Sequence, residues 1–209
     1  MSNLRTLQNF KSRLQGGGAR PNLFEIDIPT LPDAATNSTP SASWGATEFR
    51  FMCKAAQIPA STIASIDIPF RGRTLKVAGD RTIENWTVTV INDEDFKLRN
   101  AFEAWMNGIA RLSNNTGATK PQDYMTDAFV HQLGRGYSQG RFSGQNSQTA
   151  GNSSVIPLKS YKFVDIFPVA VSSIELSYDS SDTIEEFTVE FAVQTFESLS
   201  SDATGIALS

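Results

Sequence analysis

The sequence is poorest in the residues from which chemistry is usually built. It holds one cysteine, Cys53, and one histidine, His131, in 209 residues. A single thiol forms neither an internal disulfide framework nor a zinc ribbon, so the chain suits a reducing compartment. A single imidazole cannot build a His-based metal cluster within one subunit. No run of about 20 apolar residues is present, so no transmembrane helix is expected. Met1-Ser2-Asn3-Leu4-Arg5-Thr6 lacks the apolar core of a signal peptide, and folding in cytoplasm is the expectation. No sign of charge dominates: 18 basic against 22 acidic residues give a net charge of −4. That balance exerts no global pull toward nucleic acid or anionic membrane.

Catalytic constellations are missing too. The chain has no P-loop, no dinucleotide glycine fingerprint and no nucleophile elbow. A Ser-His-Asp triad would need His131, which lies in a polar segment without a nucleophile context. Packing is the simpler role for that ring. Glu185 and Glu186 are adjacent on an expected strand and so point to opposite faces. Glu186 and Glu190 share a face but alternate with Thr188, as a solvated or interface face would. Asp93-Glu94-Asp95 reads as negative charge in the first turn of a helix, where the helix dipole favours it over a bound cation. The expectation is therefore no catalytic residues, no metal and no cofactor.

What the chain does have is strand-forming sequence. The hydrophobic share is 40% and there are 14 phenylalanines, several in alternating runs. Such a length buries a core without staples. Phe24, Ile26 and Ile28 share one face opposite Glu25 and Asp27. Asp33 to Gly45 reads as a loop. From Glu48 to Lys54 the pattern alternates again and groups Phe49, Phe51 and Cys53, so Cys53 is expected to face the core. Ala55 to Ser61 is a short connection containing Pro59. Ala64, Ile66, Ile68 and Phe70 then alternate toward Arg71-Gly72, and Arg73, Leu75 and Val77 return, which predicts a β-hairpin. Pro69 marks a strand end or an edge, and Gly79-Asp80 reads as another turn. Trp86, Val88 and Val90 line the next strand.

Asn92 opens the one strong helix, with a stripe of Leu98, Phe102, Trp105, Ile109 and Leu112. Residues 114–157 form a polar excursion with a short helix over Met125 to Leu133. Strands resume at Leu158 to Phe167 and Val171 to Tyr178. The last strand sets Phe187, Val189, Phe191 and Val193 against Glu186, Thr188, Glu190 and Gln194. The sum is about seven or eight strands and one long helix. A basic arm fills residues 1–21, with helical spacing at Leu4, Leu7, Lys11 and Leu14. A tail fills 198–209, and a single domain spans 22–197.

Surplus β-surface stands out. The Ile63–Ala78 hairpin is long for a small domain, and sheets with free edges invite further pairing. Together with the arm and the excursion it makes a layout for contacts between subunits.

Several ordered features carry a resemblance over Asn22 to Glu197. Cys53-Lys54-Ala55-Ala56-Gln57-Ile58-Pro59 leads into the hairpin that Phe70-Arg71-Gly72-Arg73 turns. Gly79-Asp80-Arg81 and Trp86-Thr87-Val88-Thr89-Val90-Ile91-Asn92-Asp93 follow, then the helix from Phe96 to Trp105. Phe167-Pro168-Val169, Tyr178-Asp179 and the strand from Ile184 to Val193 complete the order. In this order the sequence resembles the tail tube proteins of contractile-tailed bacteriophages.

The resemblance implies a mainly β fold with one long α-helix, a β-sandwich or split barrel of the phage tail tube and type VI secretion tube type. Six subunits form a ring, their strands join into a continuous inner β-barrel, and rings stack into a hollow tube. It also implies a ring-forming hairpin through Ile66, Ile68, Phe70, Arg71, Arg73 and Leu75. An inter-ring loop would hold Ala55, Gln57, Ile58, Pro59 and Ala60. Implied partners are further copies of the chain, the tail sheath protein, baseplate tube proteins, the tape measure protein and the tail terminator. DNA passes through the lumen without specific binding, and nothing anchors in a membrane. The implied place is the virion tail, with assembly in the host cytoplasm. Alternatives are a baseplate or tube-end paralogue, a type VI secretion tube protein, and a monomeric β-sandwich binding module.

Overall fold

A computed structural model describes residues 7–14, 18–38, 44–134, 157–179 and 182–199. The chain divides into two compact units. One comprises Met1–Ile26, Phe129–Lys162 and Ser198–Ser209, and the other Asp27–Ala128 and Phe163–Glu197. The segment 135–156, half of the expected polar excursion, lies outside the described residues.

In the first unit, α1 (Leu7–Arg13) realises the helical spacing read in the arm, with Leu7 and Phe10 exposed. Strand β1 (Phe24–Asp27) buries Ile26 as its alternation requires. It pairs with β6 (Thr126–Leu133), which pairs with β7 (Pro157–Val171). The helix expected over Met125 to Leu133 is therefore a strand. Ala128 and Val130 are buried while their neighbours are partly exposed, a period of two that the short run hides among polar residues. His131 sits on β6, where Nδ1 shares a 2.8 Å hydrogen bond with Ser160 Oγ and the ring stacks on Phe129. That is the packing role read from sequence.

In the second unit the strand order is β7, β8 (Glu186–Ala192), β5 (Trp86–Ile91), β2 (Cys53–Ala56), antiparallel at each described register. Strand β9 (Thr195–Leu199), where the sequence reading gave no strand and set the domain end at 197, pairs β7. The β5–β8 register sets Trp86 opposite Phe191, Val88 opposite Val189 and Val90 opposite Phe187. All six are buried, which is the face both alternations foretold.

Helix α4 (Lys97–Ile109) covers that face. Phe102 meets Phe187 and Phe191 edge-on with centroids 6.2 and 5.9 Å away. It also meets Trp44 and Phe49, at 5.7 and 5.8 Å. Dense aromatic contact of this kind adds edge-to-face attraction to burial.

Several boundaries differ from expectation. The run from Glu48 is not a strand: α3 (Ala46–Met52) puts Phe49 in the core and leaves Phe51 exposed, and Cys53 then begins β2. A residue pair two apart reads as a strand face only when the backbone is extended, and in the helix Phe49 and Phe51 diverge. The loop expected over Asp33 to Gly45 begins with α2 (Asp33–Ser38), whose Ala34 and Ala35 are buried. Small residues are needed there because α4 approaches closely. A Cβ built on Gly108 would lie 2.1 Å from Ala34 O.

Helix α4 starts at Lys97 and not at Asn92. Phe96 precedes it in the left-handed region at φ 50°, so Asp93, Glu94 and Asp95 lie before the first turn and do not cap the dipole. Asp93 Oδ1 instead accepts a hydrogen bond from Glu94 N–H. The stripe ends at Ile109, and Leu112 lies beyond the helix, almost fully exposed. The strand read over Val171 to Tyr178 stops at Val171, where β7 ends. A four-residue helix, α5 (Pro121–Tyr124), offers its Tyr124 carbonyl to Trp105 Nε1–H.

Candidate assembly surface

Beyond β2 the chain forms a separate two-stranded sheet, β3 (Ser61–Phe70) and β4 (Arg73–Ile83). The turn between them has φ 46° at Arg71 and φ 80° at Gly72. Positive φ at both central residues matches the right-handed twist of a hairpin, and glycine supplies it at no steric cost. The register pairs Phe70 with Arg73, Ile68 with Leu75 and Ile66 with Val77. Cross-strand partners share a face, so these six make one face of the ribbon. Asp67 opposite Lys76 and Pro69 opposite Thr74 belong to the other.

Nearly every residue of both strands is exposed. Ile66 and Phe70 keep 55% and 66% of their surface in water, and Ile68, Leu75 and Val77 are similar. A lone two-stranded ribbon is marginal in water, and a contiguous apolar face of this kind marks an interaction site. Ile66, Ile68, Phe70, Arg73 and Leu75 are thus brought together on one face, with Arg71 at the tip. The Arg71 guanidinium lies over the Phe70 ring, 5.4 Å from its centroid. Gly79-Asp80, read as a turn, lies inside β4. Between Ile63 paired with Arg81 and Ser65 paired with Ala78, β4 carries one extra residue, a bulge that lets the strand continue.

The five residues read as a loop are less uniform. Ala55 lies in β2, opposite Thr89. Gln57 N–H donates to Thr87 O at 3.3 Å, and Ala60 O accepts from Glu84 N–H at 3.1 Å. Both ends of the connection are therefore pinned. Between them Ile58 is half exposed and Pro59 is buried.

The sheet face opposite α4 is polar. The β5–β8 register sets Thr87 against Glu190, Thr89 against Thr188 and Ile91 against Glu186. Lys54 Nζ pairs with Glu186 Oε1, and Asn85 Nδ2 donates to Glu190 Oε1 at 2.7 Å. The sequence signalled the carboxylates and threonines through their period of two. It did not signal their partners, because Lys54 is 132 residues away from Glu186.

Cys53 and Glu48, both among the described residues, titrate away from their ordinary values. Burial pushes the Cys53 thiol up to about 12, against a weak opposing hydrogen bond to Ala55 O. That is an inert core thiol. The hydrogen bond from Lys97 Nζ, 2.8 Å from Glu48 Oε1, holds the Glu48 carboxyl below the usual range, with the Glu48 backbone assisting. Among the described residues no group of three or more His, Cys, Asp or Glu side chains is placed to hold a metal ion.

With this geometry in hand, the family model described as "Phage tail tube protein" matches residues 19–198. The chain is 31% identical over 182 residues to "Tail tube protein gp19" of Enterobacteria phage T4, covering 87% of this chain and 93% of that one. The protein of the same name from Enterobacteria phage T6 matches equally. Among solved structures, the tube-terminating cap of the anti-feeding prophage superposes with a TM-score of 0.55 at 15% identity. The superposition covers 88% of this chain and 92% of the cap chain. A chain of the extended sheath–tube complex of an extracellular contractile injection system gives 0.51 at 11% identity, over 91% and 97% of the two chains. These likenesses show the fold.

Proposed function

Because the chain belongs to the phage tail tube protein family, as a structural subunit of the tube in the virion tail, we propose that six copies close into a ring through their β3–β4 hairpins. Rings then stack into a hollow conduit for the genome and the tape measure protein. The observation that carries this reading is the ribbon whose Ile66, Ile68, Phe70, Leu75 and Val77 stay exposed. Closing a ring removes the free edges and covers that face. Strand pairing supplies directional hydrogen bonds, and alternation fixes the register. Ala55, Gln57, Ile58, Pro59 and Ala60 lie at the base of the hairpin and form the contact between rings, a head-to-tail surface that propagates without closing.

The polar face of Thr87, Thr89, Thr188, Glu186 and Glu190 suits the lumen. DNA slides past neutral or acidic walls, whereas cationic walls bind phosphate. The role is mechanical, without catalysis or cofactor. We read 22–197 as the tube domain, flanked by arms at 1–21 and 198–209. Solved chains of this fold occur in a baseplate, a tube-terminating cap and a sheath–tube complex. By analogy the outer surface meets the tail sheath protein and the end rings meet baseplate tube proteins and the tail terminator. Assembly takes place in the host cytoplasm.

Random polymerisation would waste subunits, so nucleation on a baseplate template is expected. Sedimentation of purified chain with and without baseplates tests this. Monomers or rings alone, and long tubes only with the seed, support the reading. Prompt unseeded tubes at micromolar concentration contradict it.

A further inference from the structure

The segment after β7 repeats a strand pattern without being a strand. Ile174, Leu176 and Tyr178 alternate with Ser173, Glu175 and Ser177, yet Ser173 to Tyr178 forms no ladder. The last backbone hydrogen bond before it joins Ser172 N–H to Thr188 O. Among the described residues, Ser173 to Tyr178 makes no further backbone–backbone hydrogen bond. Leu176 and Tyr178 are strongly exposed, at 82% and 108%. Ser173 to Ser177 carries no regular structure and Tyr178 begins a turn; a segment with one apolar side outside any ladder has the pattern of a strand that lacks its neighbour.

Resting on the ring reading, we infer that this segment is the acceptor for the hairpin, pairing antiparallel along the free edge of β4 in the next copy. Charge selects the occupant. From Ser172 to Glu186 the chain holds Glu175, Asp179, Asp182, Glu185 and Glu186, and no lysine or arginine. The hairpin holds Arg71, Arg73, Lys76 and Arg81 against Asp67 and Asp80. Within the hairpin the cations cluster on β4 and the turn, so β4 is the edge that an acidic strand fits.

Pattern then selects the register. With Glu175 opposite Lys76, both lie on the polar face of the ribbon. Ile174 then falls opposite Val77 and Leu176 opposite Leu75, which continues the apolar face. Tyr178 falls opposite Arg73, where a cation meets a ring face. The antiparallel direction carries Asp179 toward Arg71 at the tip, whereas the parallel one would carry it toward Asp80. Lys76 already has Asp67 across the ribbon, without an ion pair within 4.0 Å. Pairing draws Tyr178 out of its turn, and six residues so extended span about 20 Å, well within the length of β4.

The test exploits the pair lying between copies. Lys76→Glu and Glu175→Lys are made separately, and both positions are exposed. Each variant keeps the wild-type circular dichroism spectrum and melting temperature. Like charges face each other at every interface of either homogeneous ring, so each variant alone needs at least about tenfold more protein to form rings. In a ring alternating the two variants, every interface regains opposite charges. Mixing them in equal amounts therefore restores ring formation to near the wild-type concentration.

Single variants that assemble normally overturn the inference, as do single variants that fail and are not rescued by mixing. Wild-type chain that forms no rings, with or without a baseplate seed, overturns the ring reading itself. The inference falls with it, so the two failures are told apart by the wild-type control.

Discussion

Ile68 and Leu75 stand opposite each other across the β3–β4 ribbon, and both remain about half exposed, at 46% and 60%. Two large aliphatic side chains side by side in water gain little from each other and nothing from the core. Replacing both by threonine keeps the β preference while removing most of the apolar surface. The expected result is a monomer with a melting temperature within about 2 °C of wild type, since exposed substitutions change stability little. Ring formation, followed by sedimentation velocity, should fall more than tenfold. An unchanged ring fraction would remove the ribbon face from the interface.

The turn separates conformation from charge. Gly72→Ala puts a Cβ at φ 80° and should cost the hairpin about 1 kcal/mol. Arg71→Asn should ease the turn, because asparagine tolerates the φ of 46° better than arginine. It also removes the cation at the tip. If Arg71 acts through charge, Arg71→Asn weakens ring formation at low salt and loses that effect near 1 M salt. Gly72→Ala weakens assembly at both. Light scattering across a salt series distinguishes them.

Phe102 is the keystone between α4, α3 and the sheet, touching Trp44, Phe49, Phe187 and Phe191. Truncation to alanine leaves a cavity that neighbouring rings cannot fill and should cost about 3–5 kcal/mol. Denaturant titration should show the loss as a lower midpoint, with assembly lost in consequence and not selectively.

Cys53 offers a pH signature. Its ordinary value is 9.0, and burial raises it to about 12 in the folded chain. The unfolded thiol therefore ionises first, so its stabilising contribution is whole below pH 9 and is lost as pH rises toward 12. Comparison with Cys53→Ala cancels the lysines and tyrosines that titrate nearby. The stability difference between the two chains should shift against wild type by about 1.4 kcal/mol between pH 8 and pH 10. Native protein should also resist thiol reagents at pH 8 until unfolded.

The lumen assignment predicts an effect on transport. Glu190→Lys places a cation on the polar sheet face and disrupts the hydrogen bond that Asn85 makes to Glu190. Repeated in every ring, that change should slow genome release and leave DNA held in isolated tubes at low salt. Fluorescent-dye exclusion during triggered ejection measures it. Release at the wild-type rate would move this face away from the lumen.

Much of the fold was legible wherever a strand had one wet and one dry face. Trp86, Val88 and Val90 announced β5, Phe187, Val189 and Phe191 announced β8, and the hairpin was marked by its turn and its alternation. Legibility failed where a short apolar pattern fitted two periods. Phe49 and Phe51 looked like a strand face and belong to a helix. Ala128 and Val130 were too sparse to reveal β6. The start of α4 was misplaced because Asp93, Glu94 and Asp95 have the composition of a first turn, while Phe96 in the left-handed region delays it. The polar pattern of Glu186, Thr188 and Glu190 was visible, but Lys54 and Asn85 reach it only through the folded register. Ser173 to Tyr178 is the instructive miss: its strand periodicity is real, and the ladder it calls for lies outside the monomer.

Whether β3–β4 is the seam of a six-membered ring can be read from a cryo-electron microscopy map of assembled tubes. The map should show six copies per ring, with each hairpin hydrogen-bonded along its free edge to the next copy and Ile66, Ile68, Phe70 and Leu75 buried. A map in which the hairpins project unpaired into solvent, or in which the rings close through another surface, would contradict it.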